Sequence, residues 1–310
     1  MLIAVLILVA LVAFCFGVGC YGFFAACKRI PEWKKKPGKS TKSDDYSDKL
    51  REGNQWLREH ETEELFLTAP DGTRLHAWWI PAEKPRATVV FAHGYHSCGA
   101  KDFSVVFDLY HDQGFNILLP DQRAHGASGG KFITFGVKES EDFRQWIALH
   151  NERFGAYPIL CSGLSMGAST VMFLAGLELP ENVKGFIADC GFTSPREIIS
   201  SVFRHQTHLP TWPFLWATDL CARWFAGFSL KERHTTQTLA KNTRPILFVH
   251  GLDDTFVPPE MTKRSFEACG GEKYLLLVEG ATHAVSFLVS PEAYLEKRNI
   301  IAEKVLGEPI

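Results

Sequence analysis

The chain carries no excess of basic charge. Its 33 lysine and arginine residues are balanced by 35 aspartate and glutamate residues, for a formal net charge of −2 at pH 7. Proteins that bind nucleic acid present a basic surface to the phosphates, so the composition gives no support to a nucleic-acid partner. The apolar content of 46% and the charged content of 22% are ordinary for a globular protein. A length of 310 residues suffices for one large domain.

Closely spaced cysteine pairs are also missing. The chain has eight cysteines but no C-x-x-C pair, and several cysteines fall in predicted strands or in the first apolar run. This spacing is typical of small buried side chains and not of a disulfide framework or a zinc site. We therefore expect no structural metal, and the pattern favours a reducing compartment.

Charge is absent altogether from the N-terminal segment between Leu2 and Cys27. An apolar helix of this length can cross a bilayer with some tilt. A cleaved signal peptide is the rival interpretation, but it would begin with a basic segment, and nothing basic precedes Leu2. A lipoprotein signal at Cys20 fits poorly because Gly17 stands where a larger aliphatic residue is expected. We therefore predict that residues 1–27 are a permanent transmembrane anchor.

The segment that follows, residues 28–60, is polar and basic and is predicted to be a juxtamembrane linker. Basic residues after a span keep that side of it in the cytoplasm, so the body of the protein is predicted to be cytoplasmic and single-pass. The same residues can contact anionic lipid headgroups. They are Lys28, Arg29, Lys34, Lys35, Lys36, Lys39 and Lys42.

Residues 61–310 alternate between short apolar strands and helices, which predicts an α/β fold with a mostly parallel sheet covered by helices on both faces. Asp71-Gly72 is a strong turn signal between the first two strands. The predicted strands are 65–68, 75–80, 87–92, 116–120, 158–163, 183–189, 245–250 and 274–278. The predicted helices are 50–60, 103–113, 137–151, 168–177, 260–269 and 293–306. Residues 192–241 contain no strand pattern and are predicted to form a small helical cap.

Ser165 lies between a predicted strand and a predicted helix, in Gly163-Leu164-Ser165-Met166-Gly167. A serine in this context is typical of a nucleophile elbow, whose sharp turn requires small residues two positions to either side. The same pattern occurs around Ser128, but no strand leads directly into that copy and no helix follows it. We therefore predict a loop at Ser128 and a nucleophile at Ser165.

A serine nucleophile needs a base, and the base needs a carboxylate to hold its tautomer. Asp253 and Asp254 follow one predicted strand, and His283 follows the last. The chain order of serine, acid and histidine is the one that this kind of fold uses. The pattern alone leaves both aspartates open as the acid.

These motifs together resemble those of the α/β-hydrolase family, and within it the membrane-anchored serine hydrolases of the Bem46-like group. The likeness covers residues 62–308. The resemblance implies that Ser165 is the nucleophile, His283 the base and Asp254 the acid. Asp254 is preferred because the family's aspartate stands three residues before the valine of a Val-Pro pair. The motifs are His93-Gly94-Tyr95, Asp121 to Ser128, the Ser165 elbow, His250-Gly251 through Asp254 to Val257-Pro258, and Gly280 to His283.

The resemblance further implies an oxyanion hole formed by the backbone N–H groups of Tyr95 and Met166, with no metal and no organic cofactor. The expected activity is that of a serine hydrolase acting on a small-molecule or lipid-like ester or thioester with an apolar acyl part. A peptidase or amidase on the same fold is the alternative, and a non-catalytic binding module is a third. The substrate and the oligomeric state are not determined by the sequence.

Several other residues have simpler interpretations. His93 and His96 form an H-x-x-H pair without a nearby third ligand, so loop packing is favoured over a metal site. Cys190 ends a predicted strand and is interpreted as a core residue. Asp121 and Arg123 are expected to hold a strand-end loop by hydrogen bonds. The cap aromatics are expected to form the core of the cap, or in part to line an acyl pocket.

Overall fold

The computed structural model describes residues 1–30 and 44–310. The central part of the predicted linker, including Lys34, Lys35, Lys36, Lys39 and Lys42, lies outside the described residues.

One eight-stranded sheet forms the centre of the described chain. Its strand order is β1-β2-β4-β3-β5-β6-β7-β8. The second strand runs antiparallel to the first and to the fourth, and all other neighbours are parallel. The strands are β1 Glu63–Thr68, β2 Arg74–Ile80, β3 Ala87–Ala92, β4 Phe115–Asp121, β5 Ile159–Leu164, β6 Val183–Asp189, β7 Ile246–Gly251 and β8 Lys273–Val278.

Helices cover both faces of the sheet and form the cap. A 3₁₀ turn at Ser104–Val106 and a π-helical turn at Ala222–Ala226 supplement them. The helices are α1 Leu2–Cys27, α2 Asp44–Glu59, α3 Gly99–Phe103, α4 Phe107–Asp112, α5 Val137–Phe154, α6 Met166–Leu174, α7 Pro195–Thr207, α8 Trp212–Cys221, α9 Thr235–Leu239, α10 Pro259–Ala268, α11 Ser286–Val289 and α12 Pro291–Leu306.

The central strands are buried on both faces, as a parallel sheet requires. Every residue of β3, β4 and β7 is buried, so their sequences are nearly continuous apolar runs. Two apolar clusters pack on the two faces, one including Trp146 and Phe186 and the other including Phe107 and Ile301. The sheet thus provides a rigid frame whose strand ends position the candidate site.

The predicted hairpin lies between β1 and β2. Gly72 has a φ of +80°, a conformation that glycine adopts without a steric cost. Its N–H donates to the carbonyl of Ala69 over 2.8 Å, and the Asp71 carboxylate accepts from the N–H of Thr73 over 3.1 Å. The turn signal in the sequence therefore predicts the hairpin correctly.

The helix predicted over 103–113 is broken in the structure. It consists of the end of α3, the 3₁₀ turn and α4. Helix α2 crosses the turn so closely that a Cβ on Gly53 would stand 2.2 Å from the carbonyl oxygen of Ser104. Gly53 and Ser104 are far apart in the chain, so no local sequence pattern predicts their contact. The apolar periodicity of 103–113 therefore predicts one continuous helix where the structure has a break.

The segment between β6 and β7 is helical, and it packs against the N-terminal helix. Gly19 of α1 faces α8, where an added Cβ would stand 2.5 Å from the carbonyl oxygen of Phe214. The thiol sulfurs of Cys20 and Cys221 are 3.1 Å apart. Lys28, predicted to begin a linker, forms a β-bridge with Phe132. The N-terminal helix and the residues that follow it are therefore docked on the α/β domain.

Candidate active site

Ser165 occupies a strained turn between β5 and α6. Its φ of +56° and ψ of −115° lie outside the regions that most residues adopt. A Cβ on Gly163 would stand 2.2 Å from the carbonyl oxygen of Gly167, and a Cβ on Gly167 would stand 1.8 Å from that of Ala92. The serine N–H donates to the carbonyl of Asp189 over 2.8 Å. The close approach of three strand ends thus explains why glycine flanks the serine.

The structure brings the predicted nucleophile, base and acid together. Nε2 of His283 lies 2.9 Å from Oγ of Ser165, and Nδ1 lies 2.7 Å from Oδ2 of Asp254. The imidazole side chain is 25% exposed, whereas the Asp254 side chain is fully buried. In this arrangement Nδ1 donates to the carboxylate, which leaves Nε2 free to accept the serine proton.

Asp254 is held by four donors. Its Oδ1 accepts from the backbone N–H groups of Phe256 and Val257, each over 2.9 Å, and its Oδ2 faces His283 and His250. Burial raises the pKa of this carboxyl, but hydrogen bonds from His250, His283 and the Val257 N–H outweigh burial and hold the pKa well below its usual range. Asp254 is therefore ionised at neutral pH.

Asp253, the other acid that the pattern left open, points away from this cluster. Its side chain is exposed, and its backbone N–H donates to the carbonyl of Ala281 over 3.0 Å. The geometry therefore favours Asp254 over Asp253 as the partner of His283.

His250 is a contact that sequence reasoning missed. It is buried, and its Nε2 lies 3.2 Å from Oδ2 of Asp254 and 2.9 Å from the carbonyl oxygen of Val257. Its Nδ1 lies 2.6 Å from the hydroxyl of Thr262. A proton on Nε2 is shared between the carboxylate of Asp254 and the carbonyl oxygen of Val257. The motif His250-Gly251 is visible in the sequence, but its contact with Asp254 is not.

The predicted oxyanion donors lie on either side of the serine. Met166 begins α6, and Tyr95 follows Gly94, where an added Cβ would stand 3.6 Å from Cβ of Ser165. Within the described ranges, neither the N–H of Tyr95 nor that of Met166 donates a hydrogen bond. Asp102, whose role the sequence does not indicate, accepts from the N–H of Gly94 over 2.7 Å and so holds this loop.

The second G-x-S-x-G pattern is a loop, as predicted, and within it the side chain of Ser128 is buried. Oγ of Ser128 accepts from the N–H of His76 over 2.9 Å and donates to the carbonyl of Asp121 over 2.5 Å. The guanidinium of Arg29 donates to the carbonyls of Gly126 and Ser128. Ser128 therefore fastens a loop and has no access to the candidate site.

The strand-end loop after β4 is held by ion pairs and hydrogen bonds. Arg123 makes a two-point contact with the carboxylate of Asp142 and a third contact with Asp71. Asp121 accepts from the N–H of Ala127 and contacts Nδ1 of His76. These contacts match the structural role expected of Asp121 and Arg123.

His93 and His96 are used in loop packing. Nε2 of His93 accepts from the N–H of Gln122 over 3.0 Å, and the N–H of His96 donates to Nε2 of His125 over 3.0 Å. Both rings also lie near the ring of His125, with centroid distances of 4.9 Å for His93 and 5.9 Å for His96.

Cys190 lies beside the candidate triad. Its sulfur forms a group with ligand atoms of Asp254 and His283 in which all atoms lie within 4.8 Å of one another. Burial, and then the charges of Asp189 and Asp254, raise the pKa of the Cys190 thiol well above its usual range. The thiol is therefore protonated at neutral pH, which suits a core residue.

Asp189 is a buried carboxyl that sequence reasoning did not assign to the site. It ends β6, and Oδ1 lies 3.5 Å from the hydroxyl of Ser286. Burial raises the pKa of Asp189 to about 6, although His250 and His283 oppose the shift. The carboxyl therefore titrates close to neutral pH, next to the candidate triad.

The cap aromatics divide into a buried and an exposed group. Phe214 and Phe228 are buried, whereas Trp212, Trp216 and Trp224 are exposed. A third apolar cluster lies between the cap, α1 and the strand ends; it includes Phe23, Phe135, Met166, Phe192, Leu215 and Val257. The tryptophans thus do not form the core of the cap, and the buried apolar cluster that includes Met166, next to Ser165, draws on several elements.

Comparison with known proteins places the chain in a family. A family model described as "Serine aminopeptidase, S33" matches residues 83–217. YqkD of Bacillus subtilis is 30% identical over 215 residues, which are 69% of this chain and 70% of YqkD. The membrane protein YNL320W of Saccharomyces cerevisiae is 25% identical over 212 residues, 67% of this chain and 68% of that protein. The Pyrococcus furiosus esterase Pf2001 superimposes with a TM-score of 0.64 at 22% identity, covering 80% of this chain and 94% of the esterase.

A mostly parallel eight-stranded sheet with a serine on a strained strand-to-helix turn defines a hydrolase of the α/β class. The chain belongs to the α/β-hydrolase family and is a hydrolase of the esterase or peptidase type. Both the fold class and the resemblance to the Bem46-like group are confirmed.

Proposed function

We propose that the protein is a serine hydrolase that cleaves a carboxylic ester or thioester through Ser165, His283 and Asp254. The observation that carries this proposal is the continuous hydrogen-bond chain from Oγ of Ser165 through both ring nitrogens of His283 to Oδ2 of Asp254. The same three side-chain types in this geometry perform acyl transfer on unrelated folds.

Acylation begins when His283 takes the proton of Ser165 as the serine oxygen attacks the substrate carbonyl. The N–H groups of Tyr95 and Met166 stabilise the oxyanion of the tetrahedral intermediate; such a donor contributes roughly 3–4 kcal/mol in well-studied hydrolases. Ionised Asp254 stabilises the imidazolium that forms. His283 then protonates the leaving group, and the acyl group remains on Ser165.

Deacylation uses the same histidine on a water molecule. The partial exposure of His283 supports this step because water can reach Nε2 once the leaving group has departed. The hydroxide equivalent attacks the acyl carbonyl, His283 returns the proton to Ser165, and the carboxylic acid is released. Neither step calls for a metal or an organic cofactor.

An apolar acyl part is supported by the cluster next to the nucleophile. Met166, Phe135 and Leu215 belong to it, and the ring of Phe256 lies 5.1 Å from that of His283. Apolar surface of this kind favours hydrocarbon over a charged or peptide side chain.

Attachment to a membrane is part of the proposal. Among the described residues, α1 is the helix whose length and apolar composition suit a span, and the yeast relative YNL320W is a membrane protein by its name. The basic residues after α1 support a cytoplasmic position of the hydrolase domain.

Covalent labelling tests the nucleophile. A fluorophosphonate probe should label the wild type and the variant Ser128→Ala, but not the variant Ser165→Ala. Ser128→Ala is a matched control because it changes the serine of the second G-x-S-x-G pattern. Equal labelling of Ser165→Ala and the wild type would remove Ser165 from the mechanism.

Substrate profiling separates the ester from the amide alternative. The description of the matching family model names a serine aminopeptidase, so both bond types need a direct assay. We expect turnover of p-nitrophenyl esters that rises with acyl chain length. Faster turnover of peptide anilides than of every ester would favour the peptidase.

A further inference from the structure

The N-terminal helix is too closely docked on the cap to cross a membrane on its own. Residues 1–14 are exposed on every side of the helix. Cys15 is the first half-buried residue, and Gly19 is the first buried one. At 1.5 Å per residue, the exposed part is about 21 Å long, whereas the hydrocarbon core of a bilayer is about 30 Å thick. A span that begins at Leu2 must therefore include residues that contact the cap.

Those residues contact one face of α8. The hydroxyl of Thr218 donates to the carbonyl of Gly19 over 3.0 Å. The rings of Phe16 and Trp216 are 5.5 Å apart. About one helical turn further along α8, the sulfur of Cys221 contacts that of Cys20. Helix α8 therefore lies at the same depth as the second half of α1.

The remaining face of the cap exposes aromatic side chains together with the ion pair of Asp219 and Arg223. The tryptophans of this face include Trp212, 75% exposed, and Trp224, 77% exposed. Phe225 is also exposed, and its ring lies 5.3 Å from that of Phe24, so the face is continuous with α1. We call Trp212, Trp216, Trp224 and Phe225 the cap aromatic face. Tryptophan is enriched where proteins meet the headgroup region of a membrane.

We propose that the cap aromatic face is immersed in the leaflet through which α1 leaves the bilayer, so that α8 is an interfacial helix. The inference rests on the proposed membrane span of α1. The bilayer is the occupant that fits, because the face extends the surface of a helix that itself suits a span. In this position the opposite side of α8 faces the protein. Leu215 on that side belongs to the same apolar cluster as Met166, the residue after Ser165. The substrate class is therefore an ester that partitions into the membrane.

Quenching of tryptophan fluorescence by brominated lipid tests this position. The full chain is reconstituted in phosphatidylcholine vesicles whose acyl chains carry bromine near the glycerol end. Helix α1 has no tryptophan, so it contributes no signal. We compare the triple variant Trp212→Phe/Trp216→Phe/Trp224→Phe with the matched triple variant Trp56→Phe/Trp78→Phe/Trp79→Phe, whose tryptophans lie in α2 and β2.

The quenched fraction of the fluorescence should fall by at least twofold in the cap variant. It should rise in the control variant, which loses tryptophans that lie away from the lipid. Fluorophosphonate labelling of each sample shows that the variants are folded, because the cap tryptophans are outside the catalytic machinery.

Three results would overturn the inference, and they are distinguishable from failure of the proposed function. In the first, the protein is labelled and resists carbonate extraction, but the cap variant and the wild type are quenched equally. The membrane span and the hydrolase activity would then stand, and the proposal that the cap is immersed would be wrong. Release by carbonate would remove the span and the inference together. Unquenched cap tryptophans in a protein that is dimeric in detergent would assign the face to a second copy.

Discussion

The hydroxyl of Tyr95 donates a hydrogen bond of 2.7 Å to the carbonyl oxygen of Ala26. This bond joins the last turn of the N-terminal helix to the loop that carries a proposed oxyanion donor. Arg29 makes a second connection, since its guanidinium donates to the carbonyl of Gly126 over 2.6 Å. The N-terminal helix is therefore fastened to the loop of Tyr95.

The variant Tyr95→Phe removes this hydrogen bond and keeps the backbone N–H of residue 95. We expect a loss of about 1 kcal/mol in the free energy of unfolding, typical of one hydrogen bond. Turnover of a p-nitrophenyl ester should fall less than tenfold, because the proposed oxyanion donor is the main chain. A loss of several hundredfold in kcat at unchanged stability would show that the hydroxyl acts in the chemistry.

The variants Asp254→Asn and Asp253→Asn separate the two neighbouring acids. Asparagine at 254 has no negative charge to stabilise the imidazolium of His283 and can hold the ring in the wrong tautomer. We expect kcat to fall by roughly 10⁴-fold, as in other enzymes with this triad. Asp253 is exposed, so Asp253→Asn should keep kcat within about twofold of the wild type, as expected of a surface substitution. The reverse order of the two effects would assign the acid to Asp253.

The variant Asp189→Asn should change how stability depends on pH. The pKa of Asp189 rises from 3.8 to about 6 on folding, so between those values the folded state binds more protons than the unfolded state. The free energy of unfolding therefore falls as the pH rises through this window and stays lower above it. Asparagine has no such proton to lose. Relative to the wild type, the variant should gain up to about 3 kcal/mol between pH 4 and pH 7.

Urea unfolding in detergent micelles at a series of pH values measures this difference. If the free energies of unfolding of the wild type and Asp189→Asn differ by the same amount at every pH, the raised pKa of Asp189 is contradicted.

The variants Gly19→Leu and Gly17→Leu test the docking of the N-terminal helix. A Cβ at Gly19 would meet α8, at 2.6 Å from Cβ of Ala217, whereas one at Gly17 meets nothing within 4 Å. Both substitutions leave the span equally apolar. We expect Gly19→Leu to separate the two helices and Gly17→Leu to leave them in contact.

The thiols of Cys20 and Cys221 report that contact. Oxidation by copper phenanthroline and oxygen removes two electrons and two protons from the pair and forms an S–S bond. Mass spectrometry of the digested protein should find the linked peptides in the wild type and in Gly17→Leu, with at least a fivefold lower yield in Gly19→Leu. Equal yields in both variants would mean that the helices do not pack as described.

Local patterns determined most of the fold and the chain positions of the candidate site. Apolar runs separated by turn residues predicted all eight strands, because the central strands are buried on both faces and need such runs. Ser165 was singled out over Ser128 by the strand before it and the helix after it. The order of serine, acid and histidine was likewise visible in the chain.

The tertiary structure brings the carboxylate of Asp254 to His283 and leaves Asp253 exposed, an arrangement that the local pattern left open and only the family resemblance indicated. It also revealed His250 behind Asp254, Asp102 beneath Gly94, and the N-terminal helix docked on the cap. These contacts depend on how loops and helices fold back on one another, so the periodicity of the sequence does not reveal them. The sequence determines which residues are apolar and where the chain turns, whereas the packing of the folded chain decides which polar groups meet.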